Sequence, residues 1–527
     1  MAGFDCLIIG GGHNGLVAAA YVARAGRRVC VLERRHVLGG CCSTEELWPG
    51  FRVSPAAYVI SLLLPRIIRE LQLRENGLEI LPRDPSSFTP LPGGGCLLLG
   101  ADAVSNQREI AKFSARDADA YGRYVAFLDR VAGAIEAQFV DPLPELPPRV
   151  RDLPRWRRLY RAVKGLGADL HSAMALLSGA ATSILDRWFE SEVLKATFAT
   201  DAVIGAFLPP SAPGSAYVLL HHVMGEAGGG RGAWGYVRGG MGGLADALAG
   251  TCGRLGVEIR REAEVTAIDV ADGRVRGVSL AGGAYLSAAV VASSLDAHQT
   301  FARLVGLDRL PEDYAARISA IDYASASLKI NLALDGLPSF DTGDIDPAIA
   351  LRGTIHIAPA LEYIERAFDD AKYGFPSREP VLEITIPTVV DDTLAPPGKH
   401  IASMFVQYAP YRLANGSWDE KRKEEFADRC LDIVARYAPD FRELVLHRQV
   451  LAPPDLERVY GLTGGNIMQG AMNLDQMGPL RVGYRTPIRG LYLCGAATHP
   501  GGGVMGACGL NAAREILRGC GPAILRA

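Results

Sequence analysis

The chain has 527 residues, of which 49% are hydrophobic and 21% charged, and a formal net charge of −3. That length exceeds a single hydrophobic core and suits two or three domains, with the composition of an ordinary globular protein. The near balance of charge excludes a global attraction to nucleic acid or acidic surfaces, so no nucleic-acid partner is expected.

Glycine is over-used, with 60 residues in short clusters that mark turns and close backbone approaches. The ten cysteines show no C-x-x-C and no zinc-type pairing, so no metal site is expected. The adjacent Cys41 and Cys42 have poor geometry for a bond to each other. The first strand begins at about Phe4, which leaves no room for a leader. No uncharged apolar run reaches the roughly 18 residues of a membrane span. The chain is therefore expected to be cytoplasmic, with reduced thiols.

Phe4 to Ile9 predicts a buried parallel strand. It runs into Gly10-Gly11-Gly12-His13-Asn14-Gly15, a G-x-G-x-x-G at the point where a strand should turn into a helix. A helix of small residues is predicted from Leu16 to Ala25, then a second strand from Arg28 to Leu32 that ends at Glu33. Gly10 permits the tight turn, Gly12 lets backbone approach a pyrophosphate, and Gly15 lets helix and strand pack closely. The helix N-terminus directs free N–H groups at phosphates, and Glu33 stands where a carboxylate accepts ribose hydroxyls. One dinucleotide is expected here.

Arg34 follows the acid, then Gly39-Gly40 and Thr44. Acid, short spacer and paired glycines resemble the extended fingerprint of the glutathione-reductase-like FAD superfamily, in its amine oxidase and phytoene desaturase branch. The resemblance implies FAD, with Gly10, Gly12, Gly15, Glu33, Arg34, Gly39, Gly40 and Thr44 as contacts. Many members carry an arginine directly after the paired glycines. Here that position is Cys41, so its phosphate contact is not carried over.

Phe88 to Leu99 predicts a hairpin around Gly93-Gly94-Gly95. Residues 107–200 read mostly as helices, interrupted by the proline-rich stretch Pro142 to Pro148. Arg149, Arg151, Arg155, Arg157, Arg158, Arg161 and Lys164, interleaved with Trp156 and Tyr160, precede an apolar segment from Leu166 to Leu185. Two readings are open: a solvated helical face, or an element in peripheral contact with a membrane. His221-His222 point in different directions on a helix, and ordinary packing is the expectation.

Arg238 to Leu244 is a glycine turn that opens a helix running to about Leu255, followed by strands at Val257 to Arg260, Ala263 to Ile268 and Ala289 to Ser293. This resembles the second FAD-domain segment of the same superfamily, which implies an adenine-side contact near Val265. Leu328 to Leu334, Val381 to Ile386 and Ile401 to Gln407 alternate like strands, and Asp419 to Tyr437 reads as an amphipathic helix.

Gly490 to Gly495 is a strand ending in glycine, and Ala496 to Gly506 a loop into a helix through Leu517. In the superfamily that helix faces the pyrimidine edge of the flavin, which implies contacts from Gly495, Gly503, Val504 and Met505. Together with Pro453 to Glu457, Gly461 to Ile467 and Leu474 to Gln476, the block is similar to the phytoene-desaturase-related oxidoreductases named after pyridine nucleotide-disulfide oxidoreductase domain-containing protein 2. Paired redox cysteines flanking a short loop and a second full G-x-G-x-x-G opening a second Rossmann unit are both missing, so one FAD and no nicotinamide site are expected.

The expected fold is α/β, a Rossmann-like FAD-binding domain from 1–75, 235–300 and 480–527. An α+β substrate domain from 76–234 and 301–479 is inserted into it. The expected activity is hydride transfer between a carbon of a hydrophobic small molecule and the flavin. Alternatives are a redox-neutral flavin-dependent isomerase and a scaffold without turnover. His499, Arg238 and Tyr236 are the candidates for polar roles beside the flavin. Nothing in the sequence sets the electron acceptor or the oligomeric state.

Overall fold

The computed structural model describes residues 3–144 and 150–519, without the Arg151 side chain. Positions 145–148 of the proline-rich stretch, Arg149 and the Arg151 side chain therefore lie outside the described residues, as does the end of the chain from 520.

Two seven-stranded sheets organise the chain. In the first, β1 (Phe4–Ile9) pairs in parallel with β2 (Val29–Leu32) on one side and Tyr285–Ser293 on the other. Glu258–Arg260 extends the sheet beyond β2, and Leu491–Leu493 pairs with Tyr285–Ser293. The apolar runs of β1 and β2 are buried on both faces: Ile8 and Val31 pack against the helix His13–Arg24 and its neighbouring helices, and Leu7, Ile9 and Leu32 share a second core with Ile268, Val275, Val278 and Phe301.

Helix α1 (His13–Arg24) starts three residues before the expected Leu16, because Gly12 is its N-cap and His13-Asn14-Gly15 form its first turn. Its small residues allow close packing on the helices Gly242–Arg254 and Ala507–Gly519. A Cβ on Gly509 would lie 2.2 Å from the Asn14 carbonyl oxygen, so glycine is what permits this crossing. Segments from both chain ends and the middle thus share one core.

Val265–Ala271, Arg274–Leu280 and Tyr285–Ser293 form a meander. The last strand is antiparallel to its neighbour at Tyr285 to Ser287 and then joins β1 in parallel. Only its second half, Ala289 to Ser293, is legible as a strand in the sequence, because burial is continuous only from Val290 to Ser293.

The second sheet runs Val445–Leu451, Ser327–Leu334, His400–Gln407, Val381–Thr385, Thr354–Ile357, Ser87–Pro90, Cys96–Leu99. Leu328, Ile330, Leu332 and Leu334 pack into a core with Phe426, Leu431 and Val434 of the helix Glu420–Ala435. Asp419 caps that helix by accepting the Arg422 N–H at 2.8 Å. The polar alternates Ser327, Lys329 and Asn331 are buried as well, because this face turns toward the N-terminal segment: the Asn331 amide donates to the Pro55 carbonyl. Helices between Ala103 and His222 close one side with an aromatic cluster of Tyr124, Phe127, Trp188, Phe189 and Phe198. Among the described residues no helix is long and apolar enough to cross a membrane.

Candidate functional site

A cavity of about 1370 Å³ is walled by both sheets and the helical layer. The turn between β1 and α1 contributes Gly10, Gly12, His13 and Asn14. Gly10 has φ +93°, and a Cβ on Gly15 would lie 2.1 Å from the Gly10 carbonyl oxygen. Both glycines are therefore demanded by the protein's own packing. Gly12 differs: a Cβ there would find only the Gly39 carbonyl oxygen, at 3.8 Å. Its freedom from side chain serves the cavity.

The first intrahelical bond of α1 is Leu16 N–H to the Gly12 carbonyl, so the N–H groups before Leu16 have no acceptor within the helix. No acidic residue sits in the first turn to neutralise the helix dipole. Glu33 is buried at the end of β2; its carboxylate accepts the Gly11 N–H at 2.7 Å and the Arg35 N–H at 2.9 Å. Gly39, at φ +103°, donates its N–H to the Gly11 carbonyl and brings Gly39 and Gly40 to the same wall. Cys41 lines it too, and burial pushes its thiol up to about 12, so it stays neutral.

The structure separates the remaining expected contacts. Arg34 and Val265 are on the wall, although the Arg34 guanidinium donates to the Arg458 and Val459 carbonyls. Gly503 and Val504 are also on the wall, and Val504 is held at φ +59°, a strained conformation for a β-branched residue. Thr44, Gly15, Gly495 and Met505 are off it. The Thr44 hydroxyl accepts the Gly242 N–H at 2.8 Å, fixing the glycine turn of the second segment. Gly495 permits close approach to Ser294, whose carbonyl oxygen would lie 2.2 Å from a Cβ. Met505 packs into the helical core.

None of the three polar candidates lines the cavity. His499 is buried against Phe139, with ring centroids 5.8 Å apart. Arg238 is half-exposed and pairs with Asp392 at 2.9 Å. The Tyr236 hydroxyl donates to the Arg352 carbonyl at 3.3 Å. Their nearness in sequence to glycine motifs does not become nearness to the cavity.

Other polar residues occupy the wall instead: Arg83, Asp201, His222, Lys329, His356, Glu383 and Gln469. Burial drives the Lys329 ammonium well below its usual range; Nζ donates to the Ser403 hydroxyl and lies 4.0 Å from the Tyr58 ring centroid. For Lys329 and Glu383 the sequence signal is a charged residue that interrupts an apolar strand, Ser327–Leu334 or Val381–Thr385. His222 stacks on Trp234, and its Nδ1 donates to the Val218 carbonyl at 2.8 Å. Behind the wall, the buried Arg481 guanidinium donates to the Met468, Gly470 and Ala496 carbonyls, tying two cavity loops together.

Residues 15–517 match the family described as Flavin containing amine oxidoreductase. The chain belongs to that family. It is 46% identical to pyridine nucleotide-disulfide oxidoreductase domain-containing protein 2 of Rattus norvegicus, covering 98% of this chain and 93% of that one. It is 26% identical to a lycopene-forming phytoene desaturase of Pseudescherichia vulneris, covering 95% and 96%. The solved structure of a cyclohexylamine oxidase from Brevibacterium oxydans superposes with a TM-score of 0.59 at 15% identity, covering both chains completely. The fold is accordingly the α/β Rossmann-like FAD-binding fold with an inserted α+β substrate domain, the cofactor is FAD, and the chain is a flavin oxidoreductase.

The residues fit that cofactor. The acid-free helix N-terminus suits a pyrophosphate, the side-chain-free face of Gly12 leaves it room, and Glu33 supplies a ribose acceptor. The adjacent Cys41 and Cys42 are free thiols, and burial pushes the thiol of Cys42 above its usual range as well.

Proposed function

We propose that the chain acts on a mostly apolar small molecule, with hydride passing between a substrate carbon and the flavin in the manner of a dehydrogenase or desaturase. The observation that carries this reading is the continuity of the cavity. The wall that holds the fingerprint residues also holds Tyr58, Tyr121, Tyr124, Phe198 and Phe405. Bound FAD supplies the two-electron chemistry.

The chain's own residues supply the rest. The aromatic wall orients an apolar body and excludes water. The Arg481 anchor and the strained Val504 hold the cavity loops in one geometry. The likeness to a phytoene desaturase, which its name assigns to a desaturation, supports the same class of reaction.

The test is anaerobic mixing of the FAD-loaded protein with a panel of terpenoids, polyenes and long-chain alcohols. Bleaching of the oxidised flavin band, with a product two hydrogens lighter, is the expected result. A product of unchanged mass would replace this reading with a redox-neutral isomerase.

A further inference from the structure

Carbon alone does not line the chamber beside the aromatic wall. Arg83, Asp201, His356 and Glu383 share it with Tyr124 and Phe405. Arg83, His356 and Glu383 are 7%, 8% and 5% exposed. Polar groups this buried normally have their hydrogen bonds met. Here Nε and Nη1 of Arg83 have no acceptor, and Oε1 of Glu383 has no donor. Asp201 feels the field of Arg83 and makes no hydrogen bond that offsets its burial. His356 is better satisfied, with Nδ1 3.0 Å from the Thr200 hydroxyl and 3.7 Å from the Glu383 carboxyl.

The charges in this cluster nearly cancel. Burial pushes the Asp201 carboxyl up to about 7. Burial, with repulsion from Asp201, pushes the Glu383 carboxyl up to about 8. Burial lowers His356 to about 3 and keeps it neutral. Near neutral pH at least one carboxyl therefore keeps its proton, and Arg83 faces at most one carboxylate. A ligand ammonium would meet Arg83, and a ligand carboxylate would meet the ionised acid. An uncharged oxygen meets neither repulsion: it can accept from a guanidinium or a carboxylic acid, and a hydroxyl can also donate to the carboxylate.

Resting on the oxidoreductase reading above, we infer that Arg83, Asp201 and Glu383 form a head-group site for an uncharged oxygen function, a hydroxyl or carbonyl, at one end of an otherwise apolar substrate. The neighbouring aromatic wall takes the apolar body. The substrate is an amphipath, and a pure hydrocarbon leaves the site's polar groups unsatisfied.

Binding tests this without any turnover. The FAD-loaded protein is titrated at neutral pH with octan-1-ol, octane, octanoate and octylammonium. Binding is read from perturbation of the flavin absorption and from the shift in melting temperature. Octan-1-ol binds about tenfold more tightly than each of the others, the effect of one hydrogen bond to a charged group. Asp201→Asn and Arg83→Met each remove about that factor for octan-1-ol and leave octane unchanged. Should Arg83→Met lose its FAD, the near-isosteric Asp201→Asn carries the comparison. Equal affinity for octan-1-ol and octane overturns the site, as does tightest binding of either charged probe. Because binding is read apart from bleaching, loss of alcohol selectivity in a protein whose flavin is still reduced by apolar substrates sinks only the head-group site. Retained selectivity without bleaching by any substrate sinks only the oxidoreductase reading.

Discussion

His221 Nε2 lies 3.0 Å from the carbonyl oxygen of Gly502, 281 residues further along the chain. A carbonyl can only accept, so Nε2 carries the hydrogen; burial lowers the ring to about 3, so Nδ1 is a bare lone pair with no partner. The bond ties the helix Ser215–His222 to the loop that brings Gly502 to Val504 onto the cavity wall. His221→Phe keeps the ring and removes the donor, leaving the Gly502 carbonyl unsatisfied. A loss of about 1–3 kcal/mol in stability is expected, with faster release of FAD. Unchanged FAD dissociation in that variant would remove His221 from the loop's support.

Burial lowers further histidines as well, among them His13 and His222 to about 4 and His356 and His499 to about 3. In the unfolded chain each takes a proton near 6.5. Protons therefore bind the unfolded state first as pH falls, and stability that is complete above 6.5 is lost below it. At pH 5 one such histidine costs about 2 kcal/mol. Asp201 and Glu383, raised by burial, act oppositely: the folded state holds their protons, so their contribution is lost as pH rises toward 7 to 8. Denaturant unfolding at pH 7 and pH 5 should show a fall in stability that His222→Phe reduces by about 2 kcal/mol. A pH dependence unaltered by that variant would contradict the assignment.

Arg481 is buried among carbonyls of two loops. Arg481→Met fills similar space and strands three acceptors. A loss of about 3–5 kcal/mol is expected, with FAD retention falling in parallel. Stability within about 0.5 kcal/mol of the parent would show that the loops hold themselves.

FAD accounts for the one βαβ glycine turn found among the described residues, and the adjacent Cys41 and Cys42 are free thiols. NADH and NADPH are therefore expected to bleach the flavin slowly or not at all in anaerobic stopped-flow mixing. Rapid, saturable bleaching by NADPH would overturn the one-nucleotide reading.

The basic stretch divides in the structure. Arg155 pairs with Asp152 and Glu515, and Arg158 with Asp141, so these two arginines hold the helix to its neighbours. Arg157, Arg161 and Lys164 remain exposed on the helix Leu153–Gly165, beside Leu153, Tyr160 and Val163. Binding to anionic vesicles at low salt, released at high salt, is the expected behaviour of that face. Equal pelleting after Arg157→Glu, Arg161→Glu and Lys164→Glu would exclude it.

The nucleotide fingerprint was legible because its demands are local. Gly10 needs a positive φ and Gly15 a close approach, and both act within a few residues of chain. The start of α1 is not legible in the sequence, because Gly15 reads as a turn residue yet sits in the first helical turn. The polar chamber was not legible. Arg83, Asp201, His356 and Glu383 come from separate elements whose meeting is fixed by tertiary packing. His499 and Arg238 stand beside glycine motifs in sequence, while the chain turns them away from the cavity. The alternation of Ser327, Lys329 and Asn331 marks a strand in the sequence, whereas the burial of that polar face is set by tertiary packing.

The FAD content of purified Gly12→Val reports directly on whether the pyrophosphate lies at the β1–α1 turn. Gly12 has φ −70°, which any residue adopts, and a Cβ there meets no protein atom closer than 3.8 Å. Valine should therefore be tolerated by the fold and should crowd only the pyrophosphate. A folded, colourless protein that melts with the FAD-free parent and gains nothing from added FAD is the expected result. A yellow protein with full FAD occupancy would contradict the placement of the cofactor at this turn.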